Sequence, residues 1–75
     1  MAKNVSGLLA YCESQVVQLA QEHGFDRENG WAQVQGRPIE TIVAYGRFDA
    51  FSEIVEEIGP RKPKAFNTLI KQAAE

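Results

Sequence analysis

The chain has 75 residues, 44% of them apolar, with eight basic and ten acidic side chains and a formal net charge of −2. That balance excludes a disordered polyelectrolyte and a protein that holds polyanions by bulk positive charge. A single cysteine permits no intrachain disulfide, and no run approaches the ~20 apolar residues of a membrane span, so the expectation is one cytoplasmic domain over 1–75 with no membrane partner.

From the N-terminus, Val5, Leu8, Leu9, Cys12, Val16, Leu19 and Ala20 recur at three- and four-residue steps and predict a helix over 5–23. Asn4 or Ser6 is its candidate N-cap, although neither has a Glu or Gln three residues on to complete a capping box. The stop is clearer. Gly24 suits the left-handed conformation that ends helices, with Phe25 folding back on Leu19 or Ala20.

Asp26 to Arg37 reads as a connector. Asn29-Gly30 is a turn signal, Gly36 and Pro38 break regular structure, and Trp31 with Val34 is expected to pin a short single-turn segment to the core.

Pro38 to Gly59 is the longest run that keeps one period, and the rest of the chain is expected to organise around it. Ile39, Ile42, Val43, Gly46, Ala50, Ile54 and Ile58, flanked by Phe51 and Val55, read as the buried stripe of a helix over 38–58. Glu40, Arg47, Asp49, Ser52, Glu53, Glu56 and Glu57 read as its solvated face. Pro38 opens the helix at its first position, and Gly59 closes it in the left-handed conformation with a single capping bond. Gly46 costs about 1 kcal/mol relative to alanine in a helix interior and marks a kink or a close contact.

A β-hairpin at 31–45 competes for this region, pairing Trp31–Gln35 with Ile39–Tyr45 across Gly36 and Arg37. Alternation opposes it. Ile42 and Val43 are adjacent and both apolar, and Trp31 and Val34 would point to opposite faces.

Pro60-Arg61-Lys62-Pro63 is a stiff basic turn, and a last helix over 63–74 turns Ala65, Phe66, Leu69, Ile70 and Ala73 inward. The fold class is therefore all-α, a small bundle of three main helices.

Candidate chemistry is sparse. Cys12 and His23 stand eleven residues apart, roughly 16 Å along a helix, too far to act as nucleophile and base or to share a metal. Cys12 reads as a core thiol. No glycine-rich phosphate loop, nucleophile elbow or metal-binding helix motif occurs, so no catalytic residue, metal, cofactor or small-molecule substrate is assigned, and the chain reads as a non-enzyme.

The function expected is that of a small regulatory or adaptor protein acting by protein–protein interaction, with another protein or a second copy in a homodimer as partner. Tyr45, Arg47 and Phe48 are its expected contacts, because exposed aromatics beside arginine favour interface centres, and Glu53, Glu56 and Glu57 form a steering acidic face. The alternative is a nucleic-acid-binding regulator that uses the basic turn 60–64 and the C-terminal helix. Arg61, Lys62, Lys64, Asn67 and Lys71 would then meet phosphates and base edges.

Overall fold

The structure is a computed structural model that describes residues 3–75, with side chains described from residue 7 onward. It holds three α-helices, α1 (Lys3–His23), α2 (Ile39–Ile58) and α3 (Pro63–Ala74), and a short 3₁₀ helix, Gly30–Val34, between α1 and α2. No strand occurs among the described residues, so the all-α class holds and the hairpin reading of 31–45 is corrected. The cause is local. The Gln33 side-chain amide donates to the Asp26 and Gly30 carbonyls at 2.9 and 2.7 Å and curls 30–34 into a turn, leaving Ile39–Tyr45 nothing to pair with.

The hub is α1, which packs against both α2 and α3. Its Cys12, Val16, Leu19 and Ala20 meet Tyr45, Phe48 and Val55 of α2, Phe66 and Ile70 of α3, and Phe25 and Val34 from the connector in one cluster of buried side chains. Each large apolar member contributes roughly 1.5–3 kcal/mol by leaving water. The free thiol of Cys12 lies in that cluster as a small hydrophobe. The helix begins at Lys3, which places Asn4 and Ser6 inside it rather than at its cap; the Val5 side chain lies outside the described residues. At its other end Gly24 takes φ +73 and donates to the Ala20 carbonyl at 2.8 Å, the stop expected from its place after His23. Phe25 then enters the core, stacked on His23 and edge-on to Tyr45.

The orientation of α2 corrects the sequence reading. Its buried residues are Tyr45, Phe48, Ser52 and Val55, whereas Ile39, Ile42, Val43, Ala50 and Ile58 are exposed. Most of the regular stripe faces solvent, whereas Phe51 and Ile54 pack partly against the core and Val55 is buried in it. α2 is apolar on two sides, and period alone does not say which side meets α1. The three aromatic rings Phe25, Tyr45 and Phe48, with centroids 5.3–5.7 Å apart, outweigh the aliphatic stripe because aromatic side chains bury the largest areas.

The ends of α2 differ as well. Pro38 is the residue before the helix, not its first position, and its carbonyl accepts from Thr41 and Ile42. Gly59 has φ −83 and ψ 154, an extended rather than left-handed conformation, although its N–H makes the expected single bond to the Val55 carbonyl at 2.8 Å. Glycine is needed there for space: a Cβ would run into the Val55 carbonyl oxygen and lie 3.2 Å from Leu9 Cδ1.

Candidate interaction surface

The sequence-predicted contacts separate sharply by burial. Tyr45 and Phe48 are 2% and 0% exposed, so they are corrected from contact residues to core residues; only Arg47 of that trio reaches solvent. Of the acidic face, Glu53 and Glu57 are exposed and make no ion pair with a described residue, whereas Glu56 and Asp49 bind Arg27. Burial draws the Arg27 pKa down, but its bonds to Glu56 and Asp49 prevail and raise it above the ordinary arginine value. Part of that face is thus structural, because it ties the connector after α1 to the outer flank of α2.

The basic set is also divided. Arg61 bonds Glu13 at 2.8 Å and Lys71 bonds Glu28 at 2.9 Å, each pairing raising the pKa of its cation. Lys62 and Lys64 are exposed and without an ion-pair partner among the described residues, and Asn67 is half-buried. The turn and α3 therefore present two free cations rather than five recognition groups. Phosphate contacts by Arg61 and Lys71 would first have to displace carboxylates already bound.

What the structure brings together instead is an apolar strip on the outward side of α2. Ile39, Val43, Gly46 and Ala50 follow one another at four-, three- and four-residue steps, with Ile42 and Ile58 also exposed and Ile54, which packs partly against the core, at the edge. Ile39 is 74% exposed and Val43 53%. Trp31, 52% exposed, leans edge-on against Tyr45 with centroids 4.6 Å apart, and its Cη2 would lie 3.9 Å from a methyl group placed on Gly46. The missing side chain at Gly46 thus leaves the indole beside the strip. At the far end Ala50, Glu53, Ile54, Glu57 and Ile58 line a shallow groove of about 530 Å³.

Trp31, Ile39, Ile42, Val43 and Ile58 are each at least 36% exposed, and a contiguous apolar patch on a soluble protein is often functional. The strip residues themselves are visible in the sequence as the helix period. Their outward direction is not, because it depends on which side of α2 the aromatics claim.

A second open groove of about 570 Å³ runs between α1 and α3, lined by residues including Glu13, Ser14, Gln18 and Arg61, and the Glu13–Arg61 pair occupies its edge. Among the described residues no three His, Cys, Asp or Glu side chains come together as a metal site, and no helix is long and apolar enough to cross a membrane. The chain matches no known family, no curated protein and no solved structure.

Proposed function

We propose that this chain is a cytoplasmic, non-enzymatic regulatory or adaptor protein that works by binding another protein through the outward side of α2. The observation that carries the reading is the inversion on that helix: Ile39 and Val43 are exposed while Ser52 is fully buried. Burying one large aliphatic side chain yields roughly 1.5–3 kcal/mol, so a partner gains most by covering Ile39, Ile42, Val43 and Trp31. Arg47 flanks the strip, and Glu53 and Glu57 continue its line toward the C-terminal end of α2, where they supply orientation more than affinity.

The test is a pull-down from native lysate with the intact chain and with Val43→Asp, half of each sample treated with nuclease. The expected result is a stoichiometric protein that survives nuclease on the intact chain and is lost on the variant. Recovery of nucleic acid alone, released at moderate salt, overturns the reading and moves the working surface to Lys62 and Lys64.

A further inference from the structure

Independently of the α2 strip, we infer that Asn29-Gly30 is a self-modification site, at which Asn29 deamidates through a cyclic imide, and that the Asp26 carboxylate holds the site closed in the folded chain. The sequence supplies the reactive pair. Asparagine is among the chemically labile residues, and a following glycine has no side chain to shield its own amide nitrogen from the Asn29 side chain. Asn29 is exposed, and the Gly30 N–H donates to no described residue. Asn67, by contrast, is half-buried within α3 and precedes a β-branched threonine.

The reaction needs only water. The Gly30 nitrogen gives up its proton and bonds to Asn29 Cγ, the Cγ–Nδ2 bond breaks, and Nδ2 leaves as ammonia. Water then opens the five-membered imide at either carbonyl. Cleavage of the new N–Cγ bond gives aspartate. Cleavage of the original peptide bond gives isoaspartate, with the main chain rerouted through Cβ and Cγ.

The folded turn opposes the first step. Asn29 has ψ −17, so along the Cα–C bond the Gly30 nitrogen nearly eclipses the Asn29 nitrogen, whereas ring closure needs it on the side of Cβ. Asp26 fixes that arrangement through both parts of Asn29: Oδ1 accepts from the backbone N–H and Oδ2 from the carboxamide Nδ2, each at 2.8 Å. Gln33 Nε2 donates to the Gly30 carbonyl at 2.7 Å. Arg27 is tied to α2 and Glu28 to Lys71 of α3, so the residues just before Asn29 are anchored as well. The imide therefore forms only when the turn opens. Aspartate then sets a second carboxylate where Nδ2 donated to Asp26, isoaspartate lengthens the main chain, and both oppose reclosure. The segment that loosens carries Trp31, at the edge of the α2 strip.

The test incubates the full chain at mildly alkaline pH, where proton loss from the Gly30 nitrogen is favoured, and follows conversion at Asn29 by mass spectrometry of its proteolytic peptides. Asn67 serves as the internal reference, and circular dichroism shows that each variant keeps its helices. Asp26→Ala is expected to convert about tenfold or more faster than the native chain, because lost bonds to a carboxylate enlarge the open population; the chain unfolded in urea converts fastest. Asp26→Asn, which keeps one acceptor for the Asn29 N–H, falls between the native chain and Asp26→Ala and carries the test where alanine unfolds the protein. A native chain that converts as fast as the unfolded one overturns the inference. So do equal rates in the native chain and the Asp26 variants, or an Asn29 that in urea converts no faster than Asn67.

Discussion

Replacing Ser52 with alanine is expected to stabilise the protein. Ser52 is 0% exposed on the face of α2 that meets the core, and its Oγ has no hydrogen-bond partner. A buried hydroxyl left unpaired costs about 1–3 kcal/mol relative to its hydrated state. Alanine adds a few tenths of a kcal/mol in helix propensity, since Ser ranks below it in a helix interior. Against this stands the small void left by one oxygen atom, worth less than about 1 kcal/mol where neighbours close part of the gap. The net gain is about 0.5–3 kcal/mol, and a chain this size converts each kcal/mol into roughly 4–8 °C of melting temperature. The assay is urea and thermal unfolding followed by circular dichroism at one fixed protein concentration. A Ser52→Ala variant that melts lower than the parent refutes the reasoning, because the hydroxyl must then hold a favourable bond in the folded state.

The glycine within α2 and the one that ends it are expected to respond in opposite directions. A methyl group at Gly46 meets only Trp31 Cη2 at 3.9 Å, so Gly46→Ala gains about 1 kcal/mol of helix propensity, whereas Gly59→Ala forces a Cβ against the Val55 carbonyl and loses more than about 1 kcal/mol. Urea midpoints at constant m-value measure both; equal signs would defeat the assignment. Tyr45 links stability to alkaline pH. Burial of the phenol, and then the negative charge of Asp49, raise its pKa above the ordinary value near 10. A folded pKa above the unfolded one leaves its contribution intact below pH ~10 and removes it as pH rises past that value, because the unfolded chain releases the proton first. Tyr45→Phe should flatten that part of the stability profile, and an unchanged alkaline slope would show that Tyr45 is not its source.

The helices are legible in the sequence because their ends carry strong local chemistry. Gly24, Pro38, Gly59 and Pro63 set boundaries that agree with the structure to within a residue, and the α3 stripe of Phe66 and Ile70 points inward as its spacing requires. The connector is legible as a connector but not in its bonding. Asp26 accepts from the Asn29 backbone N–H at 2.8 Å, and Gln33 closes the same turn through three bonds, a polar knot with no hydrophobic period to announce it. The choice of hub misleads for a related reason. The longest run, 38–59, reads as central, but α1 is the helix with neighbours on two sides. α2 lies on one flank and leaves its more regular stripe outside. Tyr45 and Phe48 are misplaced with it, since turning α2 to bury them is the same rotation that exposes Ile39 and Val43.

That rotation is also where the chain departs from what monomer stability alone would select. A helix on one flank of a small bundle gains nothing from isoleucine at 39 or valine at 43 in water, and it gains nothing from a serine at 52 in the core. Exchanging those polarities would bury an aliphatic group where Ser52 sits and hydrate positions 39 and 43 at little cost. Local rules broken without compensation inside one copy gather where a protein acts, because there another requirement governs the residue. The connector adds support in its own geometry: Arg27 clamps Asp49 and Glu56 and fixes the flank of α2, while Trp31 is held beside Gly46 by its contact with Tyr45. The apolar strip is therefore presented on a braced helix, with its one aromatic side chain already positioned. Under the proposed function, less side-chain freedom would remain to be lost when a partner covers the strip, which lowers the cost of binding through so small a face.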